Sequence, residues 1–175
     1  ITMRSVAISA DGEYIAAGTH FYQGGEWAGT LFLFDKDSST PLWSYTTGDR
    51  VSSVAISADG EYIAASSDNN VYLFDKDSIT PPWDYSTGGV DSVAISADGE
   101  YIVIGAGLKT YLFDKDSSTP LWTYIAGAYV YSVAISADGA YLVAGSFEHK
   151  VYLFDKDRST PHCSQPPGVA VPPLP

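Results

Sequence analysis

A chain of 175 residues is long enough for one domain with its own core, and 45% hydrophobic with 14% aromatic content can supply that core. Nine Lys and Arg stand against 21 Asp and Glu, a formal charge of −12, which argues against a phosphate-binding surface and against nucleic acid as a partner. No apolar run approaches the ~18 residues of a membrane span, and the single cysteine, Cys163, has neither a second thiol for a disulfide nor a nearby His pair for zinc.

In chain order the elements repeat. "SVAIS" begins at Ser5, Ser53, Ser92 and Ser132, giving steps of 48, 39 and 40 residues, and a period near 40 outranks every other signal. Each copy opens with this short, β-branched, alternating strand. An "ADGE" or "ADGA" turn follows, and then a second strand: "YIAAG", "YIAAS", "YIVIG" or "YLVAG". After a variable loop comes a third strand ("LFLFD", "VYLFD" or "TYLFD"), then "DKDSSTP" or a close variant, whose Asp, Ser and Pro suit turn positions. A fourth strand, "PLWSYTT", "PPWDYST" or "PLWTYIA", completes the unit. Four short strands joined by turns make one antiparallel sheet, and no stretch has sustained helical periodicity. The expected fold is therefore all-β: a β-propeller segment of four tandem four-stranded antiparallel blades (1–48, 49–87, 88–127 and 128–161), the fourth incomplete.

Alternation explains the residue types. Val54 and Ile56 face one way while Ser53, Ala55 and Ser57 face the other, all apolar or small, as suits a strand covered on both sides. Further out the blade widens, and Tyr72, Phe74, Trp83 and Tyr85 supply volume; burying one such aromatic contributes roughly 1.5–3 kcal/mol. Core packing accounts for these aromatics better than ligand stacking does.

The chain begins almost directly at an inner strand, as expected of a piece of something longer. After "VYLFDKDRSTP" the fourth copy reads "HCSQPPGVAVPPLP", with no Trp. Proline cannot donate to a ladder, so 162–175 is expected to be a disordered Pro-rich tail in which only "GVAV" would pair weakly. An open stack of four blades exposes its outer faces, so self-association or contact with further blades is expected.

The text "SVAISADGEYIAAS" followed by "VYLFD" resembles the WD-repeat pattern, with Phe34-Asp35, Phe74-Asp75, Phe113-Asp114 and Phe154-Asp155 where that pattern has Trp-Asp. The Gly-His pair that usually precedes the inner strand is missing from every copy. The fourth strand is similar to pyrroloquinoline-quinone-like propeller repeats, which place a Trp eight residues after an Asp, as in Asp35 to Trp43, Asp75 to Trp83 and Asp114 to Trp122. The resemblance implies a propeller; fold alone does not fix function.

If strands alternate direction, the invariant "SADG" and "FDKD" turns share one face of the disc, and the variable connections share the other. The first copy carries the longest insertion there, "THFYQGGEWAGT" from Thr19 to Thr30, against "SDNN", "GLK" and "FEHK". His20, Phe21, Tyr22, Glu26 and Trp27 would present aromatic surface beside a carboxylate and an imidazole, suited to a protein or glycan partner; the alternative is a β-hairpin extension with Gly24-Gly25 at its turn. Asp49 and Arg50, Asp68 and Asn69, Asp91, Tyr129, and Glu148 and His149 lie in the other variable connections and complete the candidate binding set.

No metal and no cofactor is expected. "DKDSST" begins like a calcium loop but lacks the later Gly and the bidentate Glu, and reads as a solvated turn whose Asp side chains bond nearby N–H groups. His20, His149 and His162 are scattered, and no Gly-rich phosphate loop opens a helix. The expectation is a non-catalytic interaction scaffold, leaning to an extracellular or cell-surface setting. The alternatives are a purely structural repeat array of a larger cell-surface or secreted protein, and part of a quinone-dependent dehydrogenase-like propeller.

Overall fold

A computed structural model describes residues 1–165. Blade 1 comprises β1 (Thr2–Ile8), β2 (Tyr14–Gln23), β3 (Glu26–Asp35) and β4 (Trp43–Thr47). Blade 2 comprises β5 (Val51–Ile56), β6 (Tyr62–Ser67), β7 (Asn70–Asp75) and β8 (Trp83–Ser86). Blade 3 follows with β9 (Val90–Ile95), β10 (Tyr101–Ala106), β11 (Lys109–Asp114) and β12 (Trp122–Ile125). Blade 4 consists of β13 (Val130–Ile135), β14 (Tyr141–Ser146), β15 (Lys150–Asp155) and β16 (Cys163–Gln165). Each blade is a separate antiparallel sheet in sequence order, and the described residues contain no helix.

The first strands line up side by side, β1 against β5, β5 against β9 and β9 against β13, and this row is the inner edge of the stack. Alternation works as the residue types require. Val54 is buried against Ala16, Leu31 and Leu33 of blade 1, while Ser53 faces blade 3 and its Oγ accepts from the Val93 N–H at 3.3 Å. The same bond joins the Val54 N–H to Ser5 Oγ (3.0 Å) and the Val133 N–H to Ser92 Oγ (3.2 Å). Three apolar layers result, one between each successive pair of blades.

The outer aromatics are core. Trp43, Trp83 and Trp122 each lie on a Phe of the following blade (Phe74, Phe113, Phe154) at ring separations of 5.2–5.4 Å. Each indole N–H donates to a lysine carbonyl of that blade, at Lys76, Lys115 and Lys156. One residue type thus supplies both apolar area and a directional bond at the joint.

The "SADG" turn closes on itself. Ser9 Oγ donates to Asp11 Oδ1 (2.6 Å), which also accepts from the Glu13 N–H, while the Tyr14 N–H donates to Ser9 Oγ; Ser57, Ser96 and Ser136 repeat the arrangement. These bonds hold the Asp11 and Asp138 carboxyls below their ordinary value. Gly60 in the next turn is doubly required: its φ is +77°, and a Cβ there would collide with the Tyr14 ring of blade 1. The "DKD" turn likewise bonds to itself, with the Asp37 N–H donating to Asp35 Oδ1 at 2.8 Å and Lys36 pairing with Asp37. This is the solvated-turn arrangement.

Blade 4 corrects one boundary. Cys163–Gln165, placed in the tail by sequence, form β16, with Cys163 opposite Leu153, Ser164 opposite Tyr152 and Gln165 opposite Val151. The "DKDRSTP" turn sets the same register as its counterparts, so the chain returns along β15 whatever side chains follow, as long as N–H donors last. Even so, the strand has three residues, and Cys163 occupies the place of Trp43, Trp83 and Trp122. The fourth blade is incomplete in that respect. Residues 166–175, with the "GVAV" segment, lie outside the described residues.

Candidate functional site

The two faces of the stack separate as the alternation of strands demands. On one, Lys36, Lys76 and Lys115 reach across from the third-strand turn to Glu13, Glu61 and Glu100 of the first turn. The other carries the variable connections, and there a cavity of about 350 Å³ opens between blades 1, 2 and 3, lined by Arg4, Asp49, Arg50, Ser52, Asp68, Asn69, Gly89, Val90 and Asp91. Asp49 and Arg50 come from the β4–β5 connection, Asp68 and Asn69 from β6–β7, and Gly89 from β8–β9. Arg4, Ser52 and Asp91 project from the inner strands one residue before "SVAIS".

Charge in this cavity is unevenly satisfied. The Arg50 guanidinium binds Asp68 through both Nε (2.8 Å) and Nη2 and lies 3.9 Å from Asp49, and the Asp68 carboxylate raises its proton affinity above the ordinary value. Asp91 has no such partner among the described residues. Partial burial, and then the nearby Asp68 charge, push its carboxyl above the ordinary value, with Arg4 offsetting part of the effect. The site therefore holds one carboxylate that forms no ion pair among the described residues.

Thr19 to Thr30 is a hairpin extension rather than a loop. β2 and β3 run on for ten residues each, pairing Phe21 with Ala28, Tyr22 with Trp27 and Gln23 with Glu26. Gly24 and Gly25 turn the chain at φ of +65° and +93°. Two consecutive residues at positive φ are what a two-residue hairpin turn needs, so the Gly-Gly pair outweighs the loop reading. The exposed Tyr22 and Trp27 meet edge to face at 5.0 Å, His20 lies 5.5 Å from Trp27, and the Arg50 guanidinium sits 5.2 Å over the Trp27 ring. Arg50 thus couples the hairpin to the cavity. Phe21 is half-buried, and Glu26 at the exposed tip stands opposite Gln23 in the ladder.

Tyr129, Glu148 and His149 form a second, separate cluster on blade 4. Glu148 accepts from Lys150 Nζ (2.8 Å), the Tyr152 hydroxyl and the Gly127 N–H (2.9 Å), which bring its carboxyl down to about 2. Burial and then Glu148 push the Tyr152 hydroxyl up. Around this network the exposed rings of Tyr129, Tyr131, Phe147 and His149 follow one another at 5.8–6.3 Å. The sequence-selected residues thus fall into two groups. Arg4, Ser52 and Tyr131 were missed although a signal was present: the position before "SVAIS" reads Arg, Ser, Asp and Tyr in the four copies, a variable site beside an invariant one.

Among known families, the model of the "WD domain, G-beta repeat" matches residues 39–75 and 118–155. Each matched stretch runs from a "DKDSSTP" turn through the inner strand to the end of the third strand, so each spans a joint between blades. The chain is a stack of WD-repeat-like propeller blades. No curated protein matches it. WD repeats generally mediate protein interactions as scaffolds, and the face bearing the Trp27 hairpin and the cavity is where this WD-repeat-like stack offers unpaired chemistry.

Proposed function

We propose that this protein is a non-catalytic interaction scaffold whose variable face binds a partner protein, inserting a cationic side chain beside Asp91 and laying apolar surface on Tyr22 and Trp27. The observation that carries the reading is Arg50, which lies over Trp27 and binds Asp68 at once, so the hairpin and the cavity form one pre-ordered surface. Pre-ordering lowers the entropy lost on binding. A formal charge of −12 draws basic partners.

The test is selection of a displayed random-peptide library against the chain. Enriched peptides should carry Lys or Arg next to an aromatic or aliphatic residue, and they should lose binding to Trp27→Ala and Asp91→Asn, both of which keep the β-sheet circular dichroism signal. Enrichment that ignores both substitutions would refute the reading. Trp27-dependent binding on an immobilised glycan panel, with no peptide binding, would replace the protein partner with a glycan.

A further inference from the structure

The four blades form an open arc, and its two ends are unmated copies of faces that mate in the interior. In blades 2, 3 and 4 the inner-strand valine facing the preceding blade is buried, with Val54 7%, Val93 6% and Val133 8% exposed; Val6 of blade 1, at the same position, is 68% exposed. Phe74, Phe113 and Phe154 are fully buried under the preceding blade, whereas Phe34 is only half-buried. At the other end Val151 is 50% exposed where Leu31 and Val71 are 0%.

The unmated ends also match in detail. Within the stack a glycine of the second strand leaves a socket for the next blade: a Cβ on Gly105 would lie 2.9 Å from Val130 Cγ1 and 3.2 Å from Val133 Cγ1. Gly145 is the same position in blade 4, and there the socket is open, part of a cavity of about 290 Å³ bounded by Tyr131, Ser132, Gly145 and Val151 among others. Met3 and Val6, the blade 1 counterparts of Val130 and Val133, are exposed.

Hydrogen bonds follow suit. The Ala10, Ala58 and Ala97 N–H groups each donate to the equivalent carbonyl of the next blade, at Ala58, Ala97 and Ala137. This leaves the Ala137 N–H without an acceptor and the Ala10 carbonyl without a donor among the described residues. Ser132 Oγ likewise lacks the valine N–H that Ser5, Ser53 and Ser92 receive.

We infer that blade 4 of one chain docks on blade 1 of a second copy, and blade 1 on blade 4 of that copy, so that two chains close into a ring of eight blades. Met3 and Val6 of the second copy fill the Gly145 socket, its Val6 N–H donates to Ser132 Oγ, and its Ala10 carbonyl accepts from the Ala137 N–H. Each joint is head to tail, and the two identical joints together make one two-fold dimer interface that leaves no free end. Each joint lacks two interior features: with Cys163 and Gln165 in place of the Trp and Tyr of the other fourth strands, no indole covers Phe34 or reaches the Lys36 carbonyl, and no tyrosine ring meets Phe34 edge to face as Tyr45, Tyr85 and Tyr124 meet Phe74, Phe113 and Phe154.

Sedimentation equilibrium of the chain at tens of micromolar tests this. The expected result is a discrete dimer, converted to monomer by Val6→Glu and, separately, by Gly145→Leu. Both substitutions fall in open space in the single chain, so each variant keeps its β-sheet signal and melting transition. Because each variant retains one intact end, mixing the two should restore one good joint and dimerise at least tenfold more tightly than either alone. Cys163→Trp should tighten the wild-type dimer by about tenfold or more. A wild-type monomer, an open-ended series of larger species, or a dimer sensitive to Val6→Glu but not to Gly145→Leu would each overturn the inference.

Discussion

Replacing Trp83 separates the two things its indole does at the joint between blades 2 and 3. The ring is 8% exposed, lies 5.4 Å from Phe113, and donates to the Lys115 carbonyl at 2.7 Å. Trp83→Phe keeps an aromatic face on Phe113 but loses the hydrogen bond, a net contribution of about 1 kcal/mol. It also loses a second ring's worth of apolar area, about another 1 kcal/mol at roughly 25 cal/mol/Å². Trp83→Ala removes the stacking as well and opens a cavity, for about 3–5 kcal/mol in all. On a chain of this size each kcal/mol lowers the melting temperature by about 2–4 °C. The expected losses are about 4–8 °C for Phe and about 6–20 °C for Ala. Trp43→Ala should cost less than Trp83→Ala, because Trp43 is only half-buried. Urea unfolding followed by far-ultraviolet circular dichroism gives the same ranking independently. If Trp83→Ala lies within about 1 kcal/mol of the wild type, the ring is not core and the account of the joints fails.

Asp91→Asn should leave stability at neutral pH unchanged or slightly raised. The carboxyl's folded proton affinity is above its unfolded one, so stability is lost progressively as pH rises from the unfolded value through the folded one and the full cost is present at neutral pH; the difference from wild type should vanish in acid, and a clear loss at pH 7 would contradict this. Glu148 has the opposite sign. Its folded value near 2 lies below the ordinary 4.5, so its stabilisation is present above about pH 4.5 and lost as pH falls toward 2; Glu148→Gln should flatten the melting temperature's pH dependence in that window, and an unchanged pH profile would contradict the network. Calcium at millimolar concentration should not shift the melting temperature relative to chelator, because the Asp35, Asp75 and Asp114 carboxylates are occupied by the N–H groups of Asp37, Asp77 and Asp116; a rise would show binding to the native state.

Much of the fold was legible because its determinants are local and repeated. Val54 and Ser53 announce opposite faces by strand alternation alone, and Trp83 marks the fourth strand by its fixed distance from Asp75. Cys163–Gln165 was not legible as a strand: its side chains carry no strand signal, and its pairing is inherited from the turn before it. The hairpin at Gly24-Gly25 was visible as an alternative, and only its ten-residue ladder decides it. The site was legible as a set of variable connections but not as a geometry. Nothing in sequence order links Trp27 to Arg50 or Arg50 to Asp68, which meet because adjacent blades bring distant connections to one face. Arg4 and Ser52 were hidden by their place inside a strand, where variation between copies was the remaining sign.

The most direct test of the binding account is a double-mutant cycle between Asp91 and the cation of a selected peptide. Titration calorimetry would compare the peptide with its variant bearing norleucine or citrulline at the cation, against wild type and Asp91→Asn. For a partly solvated pair the coupling should be about 1 kcal/mol, near fivefold in affinity. The account predicts that removing the peptide's charge weakens binding to the wild type by that amount and has little effect on Asp91→Asn. An equal loss against both proteins would mean that the cation does not meet Asp91, and the proposed recognition site would be wrong.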